Sequence, residues 1–391
     1  MRDESLKMDN NYILVLNAGS ATLKWSLFEY DDLVEFGRGV VERIGSKGSF
    51  TEWRLKGKTA VKYSSFKDHK SALTYVLKML AWHGFDLNRI KIVAHRIVHG
   101  GSKFQAPTKL NSSVLKQISQ YNNLAPLHNP IQLMVANLAI KLLPQAKPMA
   151  VFDTAWFTNL PPQACEYALP QQLVSKYNLR RFGFHGISHS YVAGQAARGL
   201  NKSLDNLNLI TCHLGSGSSI TAVRGGRAID TSMGFTPLEG LMMCTRAGDI
   251  DPGILLHLLS QKGMNVKKLQ IILQNESGLK GVAGVSDMRE VMVRAGYEVL
   301  GFKEGGKISA EDKKRAGLAF KMFLYRVQKY IGAYVAILGR VDAVVFTGGI
   351  GERNEAVRNL IMKGLPNFKD IPILVIPTNE ELAIAQQVLI K

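Results

Sequence analysis

Arg96 and Asp153 are charged residues at positions where a sheet could present them to a substrate. Arg96 lies in an apolar stretch that predicts a strand, and alternation along a strand puts Val98 on the same face. A guanidinium pairs with a carboxylate, and an apolar wall beside it suits a short alkyl tail. Asp153 ends a second apolar stretch, where ligands collect in α/β sheets. From these residues alone, a surface arginine and a helix-capping aspartate are the simpler alternatives.

Two further candidates lie in glycine-bounded loops. His185 stands inside a Gly-Phe-His-Gly run, which gives its imidazole access to a ligand, although a hydrogen-bonded loop histidine fits as well. Arg246 could stabilise charge on a transferring phosphoryl group or simply pair with Asp249. Asp287 and Arg289 allow the same two interpretations.

A repeated pattern indicates which elements position these residues. Residues 14–24 and 210–220 each predict a strand, a Gly-Ser turn and another strand. Glycine lets the backbone approach an anion, hydroxyls and amides donate hydrogen bonds to it, and Lys24 can supply a point charge. Taken singly, each segment is an ordinary hairpin. The repetition predicts two related halves that close on one phosphate-bearing ligand.

Helical and strand patterns alternate elsewhere. Helical spacing is predicted over 71–83, from about 114, from about 131, and over 313–338. In the last helix we expect the inward face to carry Leu318, Met322, Tyr325, Ile331 and Tyr334.

Near the C-terminus, a strand at 342–347 leads into a Gly-Gly-Ile-Gly turn and a helix at 354–364. A helix N-terminus that faces a glycine turn is a good nucleotide-binding geometry. Mixed strands and helices in two repeated units predict an α/β fold.

The charge of the chain raises a different possibility. Its 391 residues carry a net charge of +18, which is unusual for an enzyme that acts on small molecules and suggests nucleic acid or an anionic membrane surface. The charge is scattered, however, and the densest basic run, at 313–315, lies beside two acids. Basic stretches interleaved with aromatic residues are missing from the sequence. We therefore expect neither a nucleic-acid nor a membrane partner.

The cysteines indicate the compartment. Cys165, Cys212 and Cys244 show no CxxC spacing, which fits a reducing environment. No apolar run approaches the ~18 residues that span a bilayer, and the N-terminus has no apolar leader core. These features predict a cytoplasmic protein.

Taken in order, several motifs closely resemble those of acetate kinases, and they cover essentially the whole chain from Tyr12 onward. In the first half they are Asn17-Ala18-Gly19-Ser20, residues 95–101, residues 124–130 and Phe152-Asp153-Thr154-Ala155. In the second half they are residues 183–186, His213-Leu214-Gly215, Thr245-Arg246, Asp287-Met288-Arg289, residues 346–352 and residues 377–382.

The resemblance implies a fold and an activity. The fold would be two duplicated actin-like ATPase (ribonuclease H-like) α/β domains, with the active site in the cleft between them. The domains would be 1–153, completed by a C-terminal helix at about 382–391, and 154–381. The activity would be reversible transfer of the γ-phosphoryl group of ATP to acetate, with magnesium, or manganese in its place, giving acetyl phosphate and ADP. Acetate kinases are homodimers.

Residue roles follow from the resemblance, position by position. The implied catalytic residues are Asp153, His185 and Arg246. The implied substrate-carboxylate arginine and methyl-pocket walls are Arg96, Val98, Leu127, Phe184 and Pro237. The implied nucleotide contacts are Lys24, His213, Leu214, Gly215, Ser216, Gly217, Asp287, Met288, Arg289, Gly349, Ile350, Gly351, Glu352 and Arg353. The implied magnesium residues are Asn17 and Glu380.

Several positions depart from the family pattern. Ser216 and Arg353 replace the usual asparagines near the nucleotide, Trp156-Phe157 replaces the usual Phe-His, and Cys244 and Ala247 differ in the loop that carries Arg246. The alternatives are a propionate-preferring kinase, against which Val98 fills the space of a longer tail, and a non-catalytic actin-like ATP-binding protein. The latter would not need Arg96 or a methyl pocket. Because a carboxylate is already ionised at neutral pH, we expect Asp153 to orient the nucleophile or a magnesium-bound water rather than to take a proton.

Overall fold

The computed structural model describes residues 10–302, 306 and 308–389. No helix in this part of the chain is both long and apolar enough to cross a membrane.

The chain divides into two compact units. Unit 1 runs up to Ala155 and takes in the chain again from Asn379, while unit 2 spans Trp156–Thr378. The domains inferred from the sequence, 1–153 with 382–391 and 154–381, stay a prediction.

Unit 1 is built on an eight-stranded mixed sheet with the order β5-β4-β3-β2-β1-β6-β8-β7. Its strands are β1 (Tyr12–Ala18), β2 (Thr22–Glu29), β3 (Glu35–Glu42), β4 (Phe50–Leu55), β5 (Lys58–Tyr63), β6 (Ile90–Ile97), β7 (Thr108–Lys109) and β8 (Lys147–Phe152). All seven residues of β1 are buried, because this strand pairs antiparallel with β2 and parallel with β6 at the centre of the sheet. The carboxyl ends of β1, β6 and β8 therefore meet at one edge.

Four helices pack on this sheet: α1 (His69–Trp82), α2 (Ser112–Ser119), α3 (Asn129–Leu142) and, from the far end of the chain, α14 (Glu380–Leu389). Asp68 begins α1 with a capping box, in which its side chain accepts from the Ser71 amide. Helix α14 contacts β1, β2, β6 and β8, and so brings its first residues to the strand ends.

Unit 2 has a five-stranded sheet with the order β11-β10-β9-β12-β13. Its strands are β9 (Asn208–Leu214), β10 (Ser218–Arg224), β11 (Arg227–Thr231), β12 (Ala343–Thr347) and β13 (Ile373–Val375). Three antiparallel strands are followed by two parallel ones, as in the series β3-β2-β1-β6-β8 of unit 1. The α/β fold class and the duplication predicted from the two Gly-Ser turns are confirmed at the level of strand order.

The helices of unit 2 are α4 (Pro162–Cys165), α5 (Gln171–Tyr177), α6 (Gly186–Gly199), α7 (Pro252–Leu259), α8 (Val266–Ile271), α9 (Gly278–Ala283), α10 (Met288–Arg294), α11 (Ala310–Leu338), α12 (Gly348–Arg353) and α13 (Glu355–Lys363). A π-helical turn at Ile272–Glu276 follows α8, and 3-10 turns occur at Leu87–Arg89, Ala155–Phe157, Leu204–Asn206 and Pro366–Phe368.

Helix α11 corrects one prediction. Ile331 and Tyr334 are buried as expected and Met322 is partly buried, but Leu318 and Tyr325 are 54% and 64% exposed. The buried stripe of this helix is Ala316, Ala319, Phe320, Phe323, Leu324, Val327, Ile331, Tyr334 and Leu338. Both misplaced residues lie two positions from members of this stripe, and residues two apart point to opposite sides of a helix.

Two buried histidines in unit 1 predict a loss of stability in acid. Burial lowers the pKa of His95 to about 3 and that of His99 to about 4. The unfolded chain takes up these protons near pH 6.5, so below that pH it binds more protons than the folded protein. The free energy of unfolding should therefore fall by about 1.4 kcal/mol per pH unit for each histidine as the pH drops from 6.5 toward the folded-state pKa.

Urea unfolding at pH 7 and pH 5 measures this effect. The His95→Gln variant should lose less stability than the wild type between the two pH values, by about 2 kcal/mol. His83→Gln, which changes an exposed histidine at the end of α1, should follow the wild type. An equal acid loss in all three proteins would contradict the assignment.

Candidate active site

The strand ends of unit 1 bring together one arginine and three carboxylates. Arg96, near the end of β6, donates from Nη2 to Oδ2 of Asp153 at 2.7 Å and from Nη1 to Oε2 of Glu380 at 2.7 Å. A further bond from Nε to Asp153 makes that pair bidentate. Asn17, near the end of β1, donates from Nδ2 to Oε1 of Glu381 at 3.0 Å. Of the predicted residues, Asn17, Arg96, Asp153 and Glu380 therefore lie in one cluster.

The charges of this cluster do not balance. One guanidinium faces three carboxylates, and the side chains of Arg96 and Asp153 are 15% and 2% exposed. Burial alone would lower the pKa of Arg96, but Asp153 and Glu380 outweigh it and raise that pKa above its usual range. Burial raises the pKa of Asp153, while the Arg96 guanidinium partly opposes that rise. The cluster can thus accept further positive charge.

A divalent cation fits this donor set. Carboxylate and amide oxygens are the ligands that Mg²⁺ prefers, and protein sites usually supply only one or two carboxylates for it, beside water and substrate phosphates. The described residues contain no group of three His, Cys, Asp or Glu side chains arranged to hold a metal on their own. The cluster therefore fits a cation that is shared with a substrate.

Sequence reasoning missed Glu381 in this cluster. Its signals were its place next to Glu380 and its position in the motif at residues 377–382. The other predicted residues of unit 1 are separate from these polar bonds: Val98 is buried just beyond β6, Lys24 is exposed on β2 opposite Asn17, and Leu127 is 39% exposed.

In unit 2, His185 stands immediately before α6 in a left-handed conformation with φ of 59°. This conformation is uncommon for a residue with a side chain. Its ring stacks on that of His213 with centroids 4.3 Å apart, and Nδ1 lies 2.9 Å from Oγ of Ser219. The histidine is therefore held on one face and at one ring nitrogen.

Arg246 has no carboxylate partner among the described residues. Its guanidinium makes a long contact, 3.9 Å from Nη1 to the sulfur of Met243. Burial lowers its pKa. Asp249, the partner that the sequence suggested, instead accepts from the Gly240 amide and from the hydroxyl of Tyr330, both at 2.8 Å. A buried guanidinium without a carboxylate partner among the described residues suits an anionic ligand.

Gly217 keeps a space open between these two side chains. A Cβ atom at this glycine would lie 3.3 Å from Nε2 of His185 and 3.6 Å from Nη1 of Arg246. The Nε2 edge of the imidazole and the guanidinium thus face one small volume beside the second Gly-Ser turn. Two donors that face one volume can stabilise a charged oxygen group there.

A cavity of about 800 Å³ in unit 2 is bordered by this turn. Nine of the predicted nucleotide contacts line it: Gly215, Ser216, Gly217, Asp287, Met288, Arg289, Gly349, Ile350 and Arg353. Arg246 lines it too, together with residues that the sequence analysis did not assign to a nucleotide: Cys244, Thr245, Ser286, Val299, Leu300 and Asn354. Thr245 and Ser286 adjoin predicted residues, whereas Val299 and Leu300 carry no signal in the sequence.

Glu352, one of the predicted nucleotide contacts, is hydrogen-bonded within unit 2. Its Oε1 accepts hydrogen bonds from the Gly348 amide at 2.8 Å, the Thr378 amide at 3.0 Å and the Thr347 hydroxyl at 3.1 Å. This carboxylate thereby links the start of α12 to the backbone at Thr378. Like His213, Leu214 and Gly351, it is not among the residues that line the cavity.

Gly348 carries the turn into α12. Its φ is +77°, and a Cβ atom there would lie 2.7 Å from the carbonyl oxygen of Leu214. Only glycine meets both conditions. The sequence predicted a glycine turn at 348–351, but these residues already form the first part of α12.

Two predicted pocket walls also belong to unit 2. Phe184 is buried, and Pro237 lies partly exposed in a loop held by an ion pair between Arg181 and Glu239 at 2.5 Å. The methyl pocket itself stays a prediction.

Asp287 and Arg289 pair with each other at 2.6 Å at the start of α10.

Comparison with known proteins gives one consistent result. The family model described as the Acetokinase family matches residues 12–369. An acetate kinase of Caldicellulosiruptor bescii is 41% identical over 403 residues, which cover 96% of this chain and 98% of that protein.

Solved structures agree with this match. A propionate kinase from Francisella tularensis subsp. tularensis SCHU S4 is 36% identical, with a TM-score of 0.88. An acetate kinase from Porphyromonas gingivalis is 35% identical, with a TM-score of 0.82. Each comparison covers 96% of this chain and 98% of the other.

Proposed function

Because the chain belongs to the acetokinase family, we propose that it is an acetate kinase, which transfers the γ-phosphoryl group of ATP to acetate and forms acetyl phosphate and ADP. The observation that carries the proposal is the guanidinium of Arg246, which lacks a carboxylate partner among the described residues and lines a cavity of about 800 Å³ beside a glycine turn. A cavity of this size suits a nucleotide. The reaction is reversible.

In the proposed reaction, a carboxylate oxygen of acetate attacks the γ-phosphorus as the bond from that phosphorus to the β,γ-bridging oxygen breaks. ADP leaves with the electron pair. Acetate is ionised at neutral pH, so no proton has to be removed, and positioning and charge neutralisation dominate.

Arg96 is the proposed acetate-binding residue, and Val98 and Leu127 are proposed walls for its methyl group, with Phe184 and Pro237. Since each of the three nitrogens of Arg96 already donates to Asp153 or Glu380, we expect acetate to share or replace one of these carboxylates. Asp153 then orients the nucleophile through the guanidinium.

Asn17 and Glu380 would hold Mg²⁺, because this cluster has oxygen donors and excess negative charge. When bound, the ion would neutralise phosphate charge. Arg246 and His185 donate to the equatorial oxygens of the transferring group, where preorganised donors are worth roughly 3–4 kcal/mol each.

Hydroxylamine trapping of acyl phosphate tests the function. With magnesium and ATP, kcat/KM should be highest on acetate, lower on propionate and lower again on butyrate. Absence of product with all three acids would favour a non-catalytic ATP-binding protein.

A propionate-preferring enzyme is the second candidate, because the Francisella tularensis structure carries that name. Val98→Ala should raise the ratio of propionate to acetate kcat/KM roughly 10-fold, since one methylene is worth ~1–3 kcal/mol in such a pocket. A wild-type preference for propionate would replace acetate in the proposal.

We also propose that the protein is a homodimer. Helix α7 has no buried residue, although its sequence, Pro-Gly-Ile-Leu-Leu-His-Leu-Leu, is strongly apolar, and Leu256 is 70% exposed. Exposed apolar faces of this kind mark protein interfaces. Light scattering should give the mass of a dimer for the wild type and a smaller mass for Leu256→Glu. A monomeric wild type would contradict the proposal.

We also propose a cytoplasmic location, which the free cysteines support.

A further inference from the structure

Ser219 lies between two histidine rings of unit 2. Its hydroxyl oxygen is 2.9 Å from Nδ1 of His185 and 2.7 Å from Nε2 of His189. The other ring nitrogen of His189 extends this series of hydrogen bonds, because Nδ1 is 2.8 Å from Oγ1 of Thr211. Ser219, His189 and Thr211 are fully buried. A continuous run of hydrogen bonds therefore leads from the core to His185.

The protons of this run can be counted. A hydroxyl has one proton, so Ser219 donates to one histidine and accepts from the other. If Thr211 donates to Nδ1 of His189, then Nε2 of His189 donates to Ser219. Ser219 in turn donates to Nδ1 of His185, which leaves the His185 proton on Nε2.

If every donor and acceptor in this run were exchanged, one of its hydrogen bonds would be weak. Thr211 would then have to donate to the carbonyl oxygen of Thr221, which lies 3.5 Å away. That distance is beyond a normal hydrogen bond, whereas the 2.8 Å between Thr211 and His189 is a good one. The geometry therefore favours the order in which Ser219 donates to His185.

The neighbours of His185 disfavour a second proton on its ring. The guanidinium of Arg246 faces the same small space as Nε2 of His185. The ring of His213, on β9, stacks on the His185 ring. Burial lowers the pKa of His189, which keeps that ring neutral behind Ser219. A positive charge close to a guanidinium is unfavourable. A neutral imidazole donates from Nε2 in only one of its two tautomers.

We propose that Ser219 is a positioning residue that fixes the tautomer of His185, so that the proton stands on Nε2 and faces the transferring phosphoryl group. His189 and Thr211 set the direction of this run of hydrogen bonds. The inference rests on the proposed function, in which His185 donates to that group. A neutral imidazole with a fixed donor can stabilise developing negative charge.

The tautomer can be measured without any activity. Nitrogen-15 shifts of the His185 ring in the substrate-free protein should show protonation on Nε2 in the wild type and a mixture of tautomers in Ser219→Ala. A wild-type ring protonated on Nδ1, or the same shifts in both proteins, would overturn the proposal.

Kinetics give a second readout. In Ser219→Ala, kcat at pH 8.5 should fall roughly 10- to 100-fold, as for other residues that orient a functional histidine, with KM values within about twofold. Ser219→Thr, which keeps the hydroxyl, should recover much of the activity at pH 8.5.

Thr221→Val is the matched control. It removes a buried hydroxyl from the same strand, whose partner among the described residues is the hydroxyl of Thr231. Its kcat and its His185 nitrogen-15 shifts should follow the wild type. Equal losses of kcat in the two variants, or no recovery in Ser219→Thr, would mean that Ser219 is only structural. If the wild type forms no acyl phosphate, the proposed function fails and the nitrogen-15 result alone decides on Ser219.

Discussion

Replacing Arg246 with alanine is expected to lower kcat about 1,000-fold while the protein stays folded. Arginines that stabilise a transferring phosphoryl group are worth about 10³–10⁵ in kcat. Burial strengthens that interaction, because water screens it less. Among the described residues no carboxylate pairs with this guanidinium, so its removal leaves no buried acid without a partner.

Two further variants test whether the loss is specific to the guanidinium of Arg246. Arg246→Lys keeps the charge but loses the planar fork, and should recover only part of the activity. Arg340→Ala removes an exposed arginine of unit 2 that pairs with Asp342 at 3.3 Å, and should behave as the wild type. A value of kcat within tenfold of the wild type in Arg246→Ala would exclude the proposed role.

Replacing Arg96 with alanine is expected to act on binding and on stability together. The KM for acetate should rise on the order of 100-fold, because a charge-assisted bidentate pair is lost. The free energy of unfolding should fall by about 3–5 kcal/mol, since removing one partner of a buried ion pair leaves the other uncompensated. Here two carboxylates, Asp153 and Glu380, lose the same partner.

Arg54→Ala is the control for this variant. Arg54 pairs with Glu35 at the same N–O distance of 2.7 Å, but its side chain is 49% exposed. An exposed pair contributes less than about 1 kcal/mol, so stability and the KM for acetate should change little. An unchanged acetate KM in folded Arg96→Ala would rule out Arg96 as the acetate-binding residue.

Local patterns in the sequence predicted the elements well. The strands and helices around Arg96, Asp153 and the two Gly-Ser turns follow from apolar periodicity and turn residues, which act over a few positions. The error at Leu318 and Tyr325 has the same origin. In a long helix with apolar residues on several sides, the sequence alone does not single out the face that packs.

Partners distant in the chain could not be predicted in this way. Arg96 and Glu380 are 284 residues apart, and no local propensity indicates that α14 returns to the sheet of unit 1. The same holds for Asp249, which bonds to Tyr330 rather than to Arg246, and for Glu352, whose oxygen is engaged by Thr378. Each of these pairings depends on tertiary packing.

The late position of α14 also has a consequence for biosynthesis. Ribosomes add about 5–20 residues per second, so roughly 14–57 s separate the synthesis of Arg96 from that of Glu380. During this interval the sheet of unit 1 lacks the helix that covers β1, β2, β6 and β8. Unit 2 is synthesised completely within the same interval. A nascent chain that stops before Asn379 therefore has Arg96 and Asp153 but lacks both glutamates of the cluster, so translation has to pass Glu381 before this half of the site can assemble.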